Sequence, residues 1–133
     1  MKNILLAIIL FFSISILAQK NDKILKSVSF SQKLLKKKGT QLILKKVVND
    51  SRCPEGVNCI WAGECEIEIA IYKNRKLIDI ENVLLSPKLQ KENIAWFTKY
   101  YPKLKITEIG VLPYPKNDVV INPKDYFVKI YFE

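Results

Sequence analysis

Histidine is absent from this 133-residue chain. With it go the commonest general base and the commonest metal-ligating side chain, which argues against most hydrolases and most zinc or copper sites. Arginine is scarce: the 22 basic residues are 20 lysines plus Arg52 and Arg75. Base and phosphate recognition favours the planar guanidinium fork. The net charge of +9 therefore does not imply specific nucleic-acid binding, and at most implies weak contact with an anionic surface. Isoleucine (18) and asparagine (nine) are also abundant; they share AT-rich codons with lysine, so base composition accounts for much of the charge. Glycine and proline together number ten, too few for a collagen-like or linker-like chain.

One long apolar run is present, at the start. Lys2 precedes an unbroken stretch from Ile4 to Phe12, which continues through Ser13 to Ala18 and gives way to Gln19-Lys20-Asn21-Asp22. This is the layout of a secretory signal peptide over residues 1–18, cut near Ala18. The rival is a retained anchor, but Ile4 to Ala18 is 15 residues, short of the roughly 20 that span a bilayer as a helix. Ile16 departs from the pattern, since a small residue is preferred there. No cysteine lies near Ala18 to accept acyl chains. The expectation is export to the periplasm or beyond, with a mobile leader at 19–26 and a single β-rich domain at 27–133.

Within that domain, side-chain alternation is the main signal. Val28, Phe30 and Leu34 alternate with Ser29, Ser31 and Lys33. Lys36 to Thr40 reads as a turn containing Gly39, and Gln41 to Asn49 as a second strand. Cys65, Ile67, Ile69 and Ile71 alternate with Glu64, Glu66 and Glu68 in the clearest strand of the chain. Lys73-Asn74-Arg75-Lys76 breaks it, and Leu77 to Val83 returns as a hairpin partner. Leu84 to Lys103 stays open between a short helix in 86–101 and an ordered crossover. Ser86-Pro87 is a candidate helix start; Ile94, Phe97 and Tyr101 recur at helical spacing. Leu104 to Leu112 reads as a strand with Gly110 a bulge, and Tyr126 to Phe132 as a terminal strand. The fold class expected is all-β: a small antiparallel sandwich or barrel of six or seven strands. The side chains expected inside are Val28, Phe30, Ile67, Ile69, Ile71, Val128, Ile130 and Phe132.

The informative segment runs from Asp50 to Gly63. Cys53 and Cys59 lie six positions apart, and in an exported protein are read as a disulfide. Pro54 and Gly56 let the chain turn so that the Cα atoms approach to about 5.5–6 Å. Asp50, Arg52, Pro54, Glu55, Gly56, Val57, Asn58 and Trp61 form a candidate recognition loop. Asp50 is suited to accept loop amide hydrogens and to pair with Arg52, and Trp61 to cover the bridge. The same residues also suit a rigid structural corner.

The pattern Asp50-Ser51-Arg52-Cys53-Pro54, Cys59 and Trp61-Ala62-Gly63 resembles a group of small exported bacterial proteins. Val111-x-Pro113-Tyr114-Pro115 and Asp125-Tyr126-x-Val128-x-Ile130 are similar to them as well. The resemblance implies a periplasmic or secreted β-rich domain and brings no activity with it.

Cys65 is odd in number. On the apolar face of its strand it reads as a buried thiol, inert because burial raises its pKa. Pairing with Cys53 or Cys59 is the alternative, and metal or redox use the least favoured; zinc would need Glu64 to complete three thiolates. The row Glu64, Glu66 and Glu68 is spaced for paired-carboxylate chemistry, but reads better as cross-strand pairing with lysines. Trp96, Phe97, Tyr100 and Tyr101 suit either a sugar-stacking surface or the end of a core. Lys36-Lys37-Lys38 reads as a solvated loop. The function expected is non-catalytic: a monomeric binding or structural module for a protein or glycan partner, without cofactor or metal. Two alternatives remain open: a hydrolase inhibitor presenting the Cys53–Cys59 loop, and a thiol redox protein using Cys65.

Overall fold

The computed structural model describes residues 25–133. The expected signal peptide and positions 19–24 of the expected leader lie outside the described residues. Six strands and one α-helix follow in order: β1 (Lys26–Phe30), β2 (Thr40–Asp50), β3 (Cys65–Lys73), β4 (Lys76–Leu85), α1 (Gln90–Tyr100), β5 (Ile106–Leu112) and β6 (Phe127–Phe132). The strands form two three-stranded antiparallel sheets, ordered β1-β6-β5 and β2-β3-β4. Lys26, placed in the leader by sequence, opens β1 opposite Phe132. One core joins the sheets: Leu42, Leu44, Ile67 and Ile69 from one, Ile106, Val111, Val128 and Ile130 from the other, with Phe97 of α1. The all-β expectation holds, as a sandwich with a helix.

β3 forms as its alternation dictates. Cys65, Ile67, Ile69 and Ile71 are buried, whereas Glu66 and Glu68 are half-buried on the other face. Both acids find neighbours from the flanking strands: Asn82 donates to Glu66 at 3.1 Å, and Lys45 pairs with Glu68 at 3.5 Å. β3 turns into β4 through Asn74 and Arg75, both at positive φ (51° and 68°), the two-residue geometry that matches strand twist. Asn74 also exchanges two hydrogen bonds with Gly39, at 2.9 and 3.0 Å. The lysine-rich loop before β2 is held by Gln41, whose buried side chain bonds the backbone of Leu35 and Lys37.

Between β4 and β5 the chain is helical. A 3-10 turn starts at Pro87, and α1 continues to Tyr100. Pro87 sits in the first turn as expected, but the Ser86 side chain makes no capping hydrogen bond. Phe97 is fully buried against Trp96 and Phe30, while the Trp96 indole and the Tyr100 hydroxyl both donate to Glu81. This cluster closes the core; it is not an open stacking surface.

Three sequence expectations need correction. β1 ends at Phe30, and Leu34 is exposed in the following loop. The irregularity in β5 falls between Ile106 and Glu108, and Gly110 pairs regularly with Lys129. Of the eight side chains expected inside, Val28 and Phe30 are only partly buried against the core. Phe132 is also partly exposed, because it ends β6 at the sheet margin, opposite the buried Ile106.

Candidate functional site

The segment between β2 and β3 is a hairpin arm with a braced tip. Its two legs are paired by backbone bonds from Ser51 to Glu64 (2.9 Å) and from Cys53 to Ala62 (3.0 Å). They close so tightly that Gly63, at φ +76°, has Arg52 Cα and the Ser51 carbonyl carbon each 2.7 Å from where a β-carbon would stand. This is why glycine ends the Trp61-Ala62-Gly63 run. The Cys53–Cys59 disulfide closes the tip with a Cα–Cα distance of 5.9 Å. Gly56, at φ +78°, makes the turn within the bridge, and Val57 N–H donates to the Pro54 carbonyl. On its far side the arm is tied down by Glu55 N–H donating to the Pro115 carbonyl at 2.9 Å.

Arg52 anchors the root. Its Nε and Nη2 donate to the two Asp50 carboxylate oxygens at 2.8 and 2.6 Å. Nη1 donates to the Val111 carbonyl, Nη2 reaches the Pro113 carbonyl at 3.3 Å, and the guanidinium lies 4.9 Å from the Tyr114 ring centroid. The Tyr126 hydroxyl donates to Asp50 at 3.1 Å. Both side chains of the ion pair are 11% exposed. Burial pushes the Asp50 carboxyl upward, but the Arg52 hydrogen bonds and charge, helped by Tyr126, outweigh it and hold the pKa below the ordinary value. Burial works likewise against the Arg52 cation and is outweighed by Asp50.

Two of the candidate recognition residues thus face inward. Asp50 and Arg52 tie together the loop, the Val111–Pro115 segment and Tyr126. Pro54 is half-buried. Glu55, Gly56, Val57, Asn58 and Trp61 are exposed at the tip, and Glu55 lies 3.9 Å from the Lys116 ammonium. Trp61 is 58% exposed, and Ile60 is exposed in full. Ile60 was not among the candidate residues; its place between Cys59 and Trp61 was the available signal.

Cys65 lies under this root, unbonded and 1% exposed. Burial, only partly offset by Arg52, pushes its thiol up to about 12. No cluster of metal-ligating side chains occurs among the described residues.

A pocket of about 410 Å³ opens beside the root, between the outer edge of β5 and the start of α1. Arg52, Leu85, Gln90, Asn93, Glu108 and Ile109 are among its walls. Neither Asn93 nor β5's edge stood out in the sequence, where the helical period marks only Ile94, Phe97 and Tyr101. Scans against family models, curated proteins and solved structures returned no match for this chain.

Proposed function

We propose that this protein is a non-catalytic, exported recognition module that engages a protein partner through the tip of its Cys53–Cys59 loop. The observation that carries this reading is Ile60, an isoleucine left wholly exposed beside a mostly exposed tryptophan on a braced loop. A pre-formed loop loses little conformational entropy on binding, and a tryptophan is a characteristic anchor of protein interfaces. Several groups of a type suited to chemistry are engaged otherwise. Glu66 and Glu68 make cross-strand contacts, Asp50 is neutralised by Arg52, and the Cys65 thiol holds its proton at physiological pH.

The inhibitor reading ranks second and draws on the same feature. A loop tied at its root by Arg52, at its legs by backbone bonds and at its tip by a disulfide suits insertion into a hydrolase cleft.

A photo-crosslinking residue at position 60, introduced in the producing cell, tests both. The expected result is a discrete adduct with one envelope or secreted protein. It should be lost in the Cys53→Ser/Cys59→Ser variant and be absent when the probe sits at Lys91 on α1. Identical adducts from both positions, or none, defeat the reading. Stoichiometric loss of a hydrolase partner's activity upon addition of purified protein selects the inhibitor. Recovery of the protein from periplasm or medium, with a mass lacking residues 1–18, tests export.

A further inference from the structure

β5 is an edge strand, and its outer side borders the pocket. The direction of its backbone groups follows from register. Tyr131 presents its carbonyl toward β5, where it accepts from the Thr107 hydroxyl, and Glu133 N–H reaches the Lys105 carbonyl. Odd-numbered residues at this end of β6 therefore turn toward β5, and even-numbered ones toward β1. Ile109 and Val111 stand opposite Ile130 and Val128, so their own N–H and C=O groups point away from β6. Val111 confirms this, since its carbonyl accepts from Arg52. Toward the other end, the Thr107 carbonyl accepts from Gln90 at 3.5 Å. Between these two capped carbonyls, Ile109 faces the pocket with a donor and an acceptor at strand geometry, and no strand pairs with it there.

Asn93 completes the arrangement. It is 8% exposed and lines the pocket, yet its amide makes no hydrogen bond within the described residues. None of its side-chain atoms is both buried and unsatisfied, so the amide reaches the water of the pocket and can exchange that water for a ligand's polar group. Asn93 thus holds two donors and an acceptor across from the free pair of Ile109.

We propose that this pocket binds a short extended peptide of two or three residues. Its backbone amide pairs with Ile109, and its next polar group is read by Asn93. An amide is the group that offers a donor and an acceptor at the spacing a strand edge requires. Two observations argue against an anion and against a long strand. Arg52 is already committed to Asp50 and two carbonyls, so the site has no strong anion receptor. Gln90 and Arg52 cap the edge four residues apart, about 13 Å by strand rise, so a long strand cannot run along it. Leu85 and Ile109 suit small apolar side chains, and Glu108 at the rim suits a peptide's amino terminus. The volume of about 410 Å³ lies within the range of small-ligand pockets.

The test is an NMR titration of the 15N-labelled protein with Ala-Ser-Ala at millimolar concentration, with glucose and N-acetylglucosamine as separate probes. The expected result is saturable movement of the Ile109 amide and of the Asn93 side-chain amide with the tripeptide alone. The hexapeptide Ala-Ser-Ala-Ser-Ala-Ser should bind no more tightly. Asn93→Leu should weaken tripeptide binding at least tenfold while keeping the remaining spectrum. Asn93→Ser, which shortens the side chain without crowding the pocket, should show the same loss. Ile60→Asp should leave tripeptide binding unchanged, which separates this site from the loop. The proposal is overturned if the two signals do not move, if they move with sugars instead, if the hexapeptide binds markedly tighter, or if both Asn93 variants bind normally.

Discussion

Gly63 and Gly56 share almost the same positive φ, yet their surroundings make them unequal. A methyl group at Gly56 meets nothing within 4 Å, whereas at Gly63 it falls on the Ser51 backbone. Gly56→Ala should therefore cost only the left-handed penalty, about 1–2 kcal/mol. Gly63→Ala adds an overlap that backbone must absorb, a further 1–3 kcal/mol or so. Urea midpoints of the two variants test the difference; equal losses would mean that the two legs separate easily. The Asp50–Arg52 pair invites a second measurement. The Asp50 pKa is depressed on folding, so the carboxylate stabilises the protein above its unfolded value near 3.9. That contribution is lost as pH falls from there through the folded value. Asp50→Asn should cost about 3 kcal/mol at neutral pH, the scale of a broken buried pair, and should flatten the decline in stability below pH 4. A variant with the wild-type acid slope would place the titrating group elsewhere. The pairing of these two residues was legible in the sequence. Its inward direction was not, because Val111, Pro113 and Tyr126 lie 59, 61 and 76 positions from their partners.

Among the elements, β3 was the most legible, since a period of two sorts its side chains without knowledge of the partner strands. Cys65 shows what that sorting achieves: parity alone places it with Ile67 and Ile69. The Asn74-Arg75 turn was legible for the same local reason. α1 was harder, because its apolar spacing is imperfect and its sequence reads equally as a crossover; packing of Phe97 into both sheets decides it. Gln41 and Asn93 were not legible at all, as a buried amide leaves no periodic trace. The Cys65 thiol gives this scale its prediction. Its pKa is raised by folding to about 12, so the unfolded chain releases its proton first, near 8.5. Stability should therefore fall as pH rises from about 8.5 toward 12. Cys65→Ala should remove that alkaline component and cost about 1 kcal/mol at neutral pH through its small void. Thiol reagents should label Cys65 slowly until the protein unfolds. Fast labelling in the native state would revive the redox reading.

At the scale of the whole molecule, the disulfide and the core do separate work. The core joins both sheets and α1 through side chains that lie outside the Cys53–Cys59 loop. The bridge spans a loop of only seven residues, for which chain entropy gives roughly 2.4 kcal/mol. A domain of this size is typically stable by about 5–15 kcal/mol, so losing the bridge should leave the fold intact. The arm's root is also secured independently, by the Ser51–Glu64 and Cys53–Ala62 bonds and by Arg52. The Cys53→Ser/Cys59→Ser variant should therefore unfold cooperatively at a urea midpoint lowered by the equivalent of about 2 kcal/mol. Amide exchange in β3 and β6 should remain governed by global unfolding. Faster exchange beyond that global shift should be confined to residues 54–61, the tip that carries Ile60 and Trp61. Partner capture at position 60 should weaken in step with that loosening, since the tip then orders only on binding. If the variant instead loses its cooperative transition, the bridge supports the core itself, and the loop would have to be regarded as part of the fold.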